Sequence, residues 1–330
     1  MIADVSKSEE INKKVKKRKR LVLKYLFKTI ISGFLFYWIL KDANFNEIGN
    51  AIKTAKWYVL VIAFSLHFVG LYISAVRWRL LLRTQGVDSR IPFLLKSYLV
   101  AIFFNNFLPS TIGGDTIRAY DSWRLGKNKA NAVTVVFIDR FLGLLALLIF
   151  AVVAVFFADQ ITSKVSFVYL WVSAAALLAF IIILMIFFPN RKIFNWLNKL
   201  SFPLINKIIS KVEKIGNSFW NFRNEKRTLL ISLLLSLLLQ ANVVFYYFLI
   251  SVSLNFGVAF YNFFLIIPLS IFVMMLPISV NGIGLRENTY FFFLSIFSIV
   301  KANAIAFAWI EFSFILIQGL VGGLVYAIRK

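Results

Sequence analysis

Leu108-Pro109-Ser110-Thr111-Ile112-Gly113-Gly114-Asp115 and Leu276-Pro277-Ile278-Ser279-Val280-Asn281-Gly282-Ile283-Gly284 decide the fold. Each stretch sets a proline, a serine and two glycines in the middle of a long apolar run. An arginine follows close to a carboxylate: Arg118 near Asp115 in the first, Arg286 beside Glu287 in the second. Proline removes a backbone donor and glycine weakens a helix, so neither run reads as one continuous span. The apolar pieces before the breaks, Phe93 to Leu108 and Tyr261 to Leu276, are short for hydrocarbon about 30 Å thick. Backbone that unwinds at membrane depth persists only where protein, water or a polar ligand meets it. The breaks therefore predict two re-entrant helical hairpins. Two complete spans joined by a tight turn are the alternative, and they leave sidedness unchanged.

Outward from the breaks, six runs are long enough to cross: about Leu23 to Leu40, Trp57 to Val76, Ala132 to Phe157, Phe167 to Phe188, Leu229 to Leu254 and Asn303 to Ile328. With 60% hydrophobic and 15% charged residues, the chain is too apolar for a water-soluble domain, which excludes a large soluble catalytic module between the runs. There is no cysteine and one histidine, His67, so thiolate chemistry, cysteine-based metal sites and multi-histidine centres are excluded. No cofactor and no metal are expected.

The 37 Lys and Arg against 14 Asp and Glu sit in blocks flanking the apolar runs, which is a topology signal before it is a nucleic-acid one. The N-terminal block, Arg77 to Lys129 and Arg191 to Arg227 are rich in Lys and Arg and are placed in the cytoplasm. The order is then span, span, hairpin, span, twice over, starting inside and then outside: an inverted repeat with both termini cytoplasmic. The predicted fold class is an all-α polytopic membrane protein of six transmembrane helices and two re-entrant hairpins. Residues 1–20 are expected as a basic cytoplasmic tail, 21–330 as the transmembrane domain, and 190–228 as a basic amphipathic cytoplasmic loop on the inner leaflet.

Interrupted segments at matching places of inverted halves point to a midplane binding site. Helices restarting after Gly113-Gly114 and after Gly282 and Gly284 present N–H groups and a positive dipole end, which suits phosphate, and Arg118 and Arg286 add forked donors. Alternatively, Asp115 and Glu287 cap the helix starts while the arginines snorkel to headgroups. Asp139, Arg140 and Glu311 lie inside spans, where a charge must be paired or wetted; an ion pair with arginine and a role toward a headgroup or coupling proton both fit. Asn105 and Asn106 are placed to satisfy backbone freed at the first break. Arg77 and Arg79 read as anchors to anionic lipid, Trp57, Trp78, Trp171 and Trp309 as interfacial anchors, and His67 as a helix-packing residue.

Three stretches in this order resemble a known family: Asn106 through Pro109, Gly113-Gly114-Asp115 and Arg118; Asp139-Arg140-Phe-Leu-Gly143; and Pro277 through Gly282-Ile-Gly284-Leu-Arg286-Glu287. They look like the signatures of the flippase-like transmembrane domain of lysylphosphatidylglycerol synthase, the multiple peptide resistance factor, and of its stand-alone relatives. The likeness runs over nearly the whole chain from about Leu21. It implies movement of an anionic or aminoacylated phospholipid, or another lipid-linked headgroup, between leaflets. No soluble aminoacyl-transferase domain is expected here, and so no lysine transfer.

The expected function is translocation of a phospholipid or lipid-linked headgroup. The headgroup site comprises Arg118, Arg286, Gly113, Gly114, Gly282, Gly284, Asp115 and Glu287, supported by Asn105, Asn106, Asp139, Arg140 and Glu311. Expected partners are membrane lipids, anionic by preference, and a lipid-synthesis enzyme, but not nucleic acid. The sequence shows no ATP-binding motif, so transport is expected to be passive or ion-coupled. The alternatives are a membrane-embedded enzyme acting on a lipid-linked sugar and an accessory subunit of lipid-linked glycosyl transfer.

Overall fold

A computed structural model of the chain describes residues 29–41, 43–107, 113–126, 128–165, 167–187, 225–276 and 278–329, with Leu23, Leu26 and Phe222 besides. The basic tail, residues 108–112 and Pro277 of the two breaks, and most of the basic loop expected over 190–228 lie outside the described residues.

Among the described residues every regular element is a helix. In chain order they are α1 (Thr29–Leu40), α2 (Phe45–Thr54), α3 (Trp57–Arg83), α4 (Ile91–Phe107), α5 (Gly113–Gly126), α6 (Lys129–Val155), α7 (Asp159–Lys164), α8 (Phe167–Phe187), α9 (Lys226–Ser253), α10 (Phe260–Met274), α11 (Leu285–Ser295) and α12 (Lys301–Ile328). Four of them, α3, α6, α9 and α12, are apolar enough and, at 27 or 28 residues, long enough to cross a bilayer. The chain is a multi-pass membrane protein.

Its surface agrees. Leu230, Leu234 and Leu238 recur at one-turn spacing on α9 and are 58%, 56% and 54% exposed. Such a stripe is costly in water and costs nothing against lipid tails.

Local sequence sets the helix starts. The Asn128 side chain accepts from the N–H groups of Ala130 and Asn131 at 3.0 and 3.2 Å, capping α6 before its apolar run begins. Asn44 does the same for α2 through Asn46 and Glu47. α3 continues past the predicted end at Val76 to Arg83, carrying Arg77, Trp78 and Arg79 within the helix.

The arms beside the breaks are short. α4 and α5 have 17 and 14 residues, α10 and α11 have 15 and 11. The longest is about 25 Å of helix, under the roughly 30 Å of a hydrocarbon core. α5 packs on α4 and on α6; α11 packs on α10 and on α12. The two halves thus repeat one motif, a broken pair of arms followed by a long helix that covers the second arm.

Two apolar cores lie apart. One gathers Phe263, Tyr290, Ile305 and Phe307 around α9 to α12. The other gathers Trp78, Leu81, Leu82, Leu94 and Ile138 around α3, α4 and α6. The halves join where α12 crosses α4. A Cβ on Gly322 would fall 2.0 Å from the Leu99 carbonyl oxygen, so only glycine permits this approach of the two backbones.

Candidate functional site

At the first break, α4 runs through Asn105 and Asn106 to Phe107, and α5 begins at Gly113. The Gly114 N–H donates to Asn105 Oδ1 at 2.8 Å, so a side chain from one arm satisfies a helix-start donor of the other. One turn on, Arg118 turns inward and is 3% exposed. Its Nη2 donates to Asp139 Oδ2 at 2.8 Å, and its guanidinium lies between the rings of Tyr98 and Trp78, 4.2 and 4.6 Å from their centroids.

Asp139, itself buried on α6, also accepts from Arg77 Nε at 2.6 Å and from the Tyr98 hydroxyl at 3.2 Å. Arg77 Nη1 goes on to Ser236 Oγ of α9 at 2.7 Å. Two guanidinium groups and a phenol thus converge on one carboxylate, and four helices are tied at one point. Among the described residues Arg118 Nε has no hydrogen-bond partner. Asp115 lies 3.8 Å from Arg118 Nη1 and is bound more closely by Arg140, at 2.9 Å, toward the exposed side.

At the second break, Gly282 and Gly284 have φ of 77° and 78°, a conformation that L side chains rarely adopt. The chain turns here and α11 begins. The Gly284 N–H donates to Glu287 Oε2 at 2.8 Å, a carboxylate at the helix start. α1 seals this turn: Ser32 Oγ accepts from Val280 N at 2.6 Å, and Asn288 Nδ2 donates to the Leu35 carbonyl at 3.0 Å.

Arg286 points inward, 7% exposed, over the Phe312 ring, with Nε 3.4 Å from Glu311 Oε2 on α12. Neither of these two atoms makes a hydrogen bond among the described residues. Arg286 Nη2 makes a long contact, 3.4 Å, to the Asn281 carbonyl. Around Glu311 stand Tyr247 and Tyr290, both fully buried or nearly so, and the Tyr290 hydroxyl donates to that of Tyr247 at 2.7 Å.

The breaks meet. Asn281 Nδ2 reaches the Asn106 carbonyl at 3.5 Å, and Asn106 Nδ2 donates to the Ile315 carbonyl of α12 at 2.9 Å. Of the expected site residues, Arg118 is brought to Asp139 and near Asp115, and Arg286 to Glu311; the two arginines sit in separate clusters. Gly114 and Gly284 have their N–H groups taken by Asn105 and Glu287, and Glu287 caps its helix.

Two readings are corrected. Arg77 is not a lipid anchor, because Asp139 draws it inside; Trp78 is not interfacial but fully buried, forming one wall of the Arg118 slot. Arg79 and Arg83 both bind Asp88 in the loop after α3. The sequence also did not reveal Tyr98, Ser236, the Tyr247–Tyr290 pair or Arg329, whose guanidinium forks onto Asp121 at 2.8 and 2.8 Å with Ser97 as a further donor. An acid inside a span demands a cation, but which arginine answers is set by packing across helices.

The family profile described as the lysylphosphatidylglycerol synthase TM region matches residues 25–323. The chain belongs to that family. It is similar to a UPF0104 membrane protein of Pyrococcus horikoshii, 23% identical over 283 residues, covering 80% of this chain and 84% of that one. A UPF0104 membrane protein of Methanothermobacter thermautotrophicus is 23% identical over 279 residues, covering 76% and 79% of the two chains. Another protein of that organism and name is 29% identical over 103 residues, which is 31% of this chain and 28% of that protein. The quoted motifs, from Asn106 to Glu287, fall within the matched span of this family.

Proposed function

We propose that this protein moves a phospholipid or lipid-linked headgroup between leaflets, the polar headgroup passing between the two breaks while the acyl chains stay in the bilayer. The carrying observation is the repeated arrangement: at each break a short helix restarts, turns an arginine inward and presents it to an acid on the next long helix. Buried charges at membrane depth are costly and mark polar pathways. A guanidinium is the side chain suited to a phosphate, which it grips with two parallel donors.

In this reading the arms α4–α5 and α10–α11 are re-entrant hairpins from opposite faces, α1 and α8 complete six spans, and both termini are cytoplasmic. Arg118 and Arg286 contact the phosphate, while Gly113, Gly114, Gly282 and Gly284 shape the helix starts. Asp115, Asp139, Glu287 and Glu311 hold the arginines and helix starts, and Asn105, Asn106 and Arg140 support the breaks. The short arms support the hairpins, since none spans the hydrocarbon alone. The protein works as a transporter and not as an enzyme, in a cell membrane, on lipids that are anionic by preference.

Vesicles of mixed phospholipid carrying fluorescent phosphatidylglycerol test this. Wild-type protein is expected to expose inner-leaflet probe to a membrane-impermeant quencher, and Arg118→Lys and Arg286→Lys to slow that exchange at least tenfold. Exchange at the protein-free rate with wild type, or at the wild-type rate with both lysine variants, overturns the proposal. Lysine keeps the charge of a buried cation and removes only the fork.

A further inference from the structure

Among the described residues, Arg286 and Glu311 are the least firmly held of the buried ion pairs. In the other half Asp139 takes bonds of 2.6 and 2.8 Å from two arginines. Arg286 Nε and Glu311 Oε2 stand 3.4 Å apart, both without a hydrogen bond among the described residues, although Glu311 is 3% exposed. A buried carboxylate held this loosely has two cheap partners: the guanidinium, or a proton. It cannot remain ionised and alone, because an uncompensated charge in low dielectric is expelled by neutralisation.

The groups facing Glu311 favour that exchange. From α11 come Arg286, Glu287 and Tyr290; from α9 come Tyr246 and Tyr247. Glu287 is engaged with the Gly284 N–H and does not compete for the guanidinium. Tyr290 donates to Tyr247, whose hydroxyl stands beside Glu311. The ring of His67 of α3 lies tilted against that of Tyr246, 4.2 Å between centroids. α4 meets this part of α12 through Asn106, and the charged groups of α2, Glu47 and Lys53, are exposed.

We propose that Glu311 is a proton-carrying site that couples headgroup movement to the proton gradient. When a headgroup phosphate engages Arg286, Glu311 loses its cation and takes one proton on Oε2 from the aqueous side. When the phosphate leaves, the proton leaves with it and the guanidinium returns to the carboxylate. One negative charge enters as another is neutralised, so the charge of the cluster is the same before and after, and the step carries one proton with one phosphate charge.

This rests on the headgroup reading above and names its coupling ion. The test is a leaflet ratio in vesicles holding the full chain, with fluorescent phosphatidylglycerol as the probe and a pH difference of one unit imposed. One proton per lipid sets an equilibrium ratio of about tenfold in favour of the alkaline leaflet, since one pH unit is a tenfold factor. A tenfold ratio that vanishes with a protonophore supports the proposal. Exchange that runs to equal leaflets under the gradient overturns it and leaves the headgroup reading standing; no exchange at all overturns both.

A second measurement reads the carboxyl group itself. Phosphatidylglycerol added to wild-type protein is expected to raise the infrared band of a protonated carboxyl, and Glu311→Gln to lack that band. No band in wild type, or an equal band in Glu311→Gln, overturns the proposal.

Discussion

Asp139 and Glu311 occupy matching places in the two halves, each on the long helix that covers a broken arm, yet they are held in opposite ways. Asp139 is bound by Arg77, Arg118 and Tyr98, with Ser236 extending the network to a fifth helix. Glu311 has a single arginine at 3.4 Å and tyrosines for neighbours. The first arrangement locks a guanidinium between two rings; the second leaves one able to change partner. The transport proposed above would draw on both, one fixed element against which another moves.

The comparison is broken or sharpened first at the acids. Asp139→Asn leaves two buried arginines without their carboxylate and is expected to lower the stability of the detergent-solubilised protein by about 3–5 kcal/mol, read as a fall in thermal midpoint. Glu311→Gln is expected to cost less, because its pair contributes no hydrogen bond. An equal or greater loss at Glu311 would erase the distinction between the halves.

The seam between the halves comes next. Gly322→Ala forces a methyl onto the Leu99 carbonyl and is expected to destabilise by about 1–3 kcal/mol, against a negligible change for Gly143→Ala, whose nearest contact would be 3.8 Å away. Parallel thermal melts of the two variants decide it. Arg329→Ala removes the fork on Asp121 and is expected to cost about 1–2 kcal/mol, between an exposed pair and a fully buried one. Ser97 remains to answer that carboxylate, which limits the loss.

The smallest effect is at Asp88. Its carboxyl is held below the ordinary range by hydrogen bonds from Arg83 and then Arg79. A lowered carboxylate stabilises above its ordinary pKa and loses that contribution as pH falls toward the folded value. Asp88→Asn is expected to leave neutral-pH stability almost unchanged and to flatten the acid limb of the melting curve, because the group is fully exposed and screened by salt.

Much of the fold was legible because apolar run length maps directly onto helices that cross a bilayer: α3, α6, α9 and α12 fall on predicted spans. At the second break the sequence was legible because glycine punctuates helices locally: α10 ends at Met274 and α11 begins at Leu285, just after Gly284. Pairing of Arg118 with Asp139 and Arg286 with Glu311 was foreseeable in kind, since an acid at membrane depth demands a cation.

The partners themselves were not legible. Arg77 and Trp78 sit at the edge of an apolar run, where the same residues serve as anchors in other proteins, and only the approach of α6 turns them inward. The Tyr247–Tyr290 contact joins residues far apart in sequence, and the Arg329 fork does the same. Neither leaves a local pattern.

The stitching of the two breaks has a consequence for how the molecule is made. Ser32 of the first helix closes the turn at Val280, while Asn106 of the first half is fastened to Ile315 of the second. Each repeat is completed by strands of contact borrowed from the other, so neither could be lifted out as a working module. On the ribosome the early half is made before Ile315 exists, so Asn106 gains that partner only when the late half arrives.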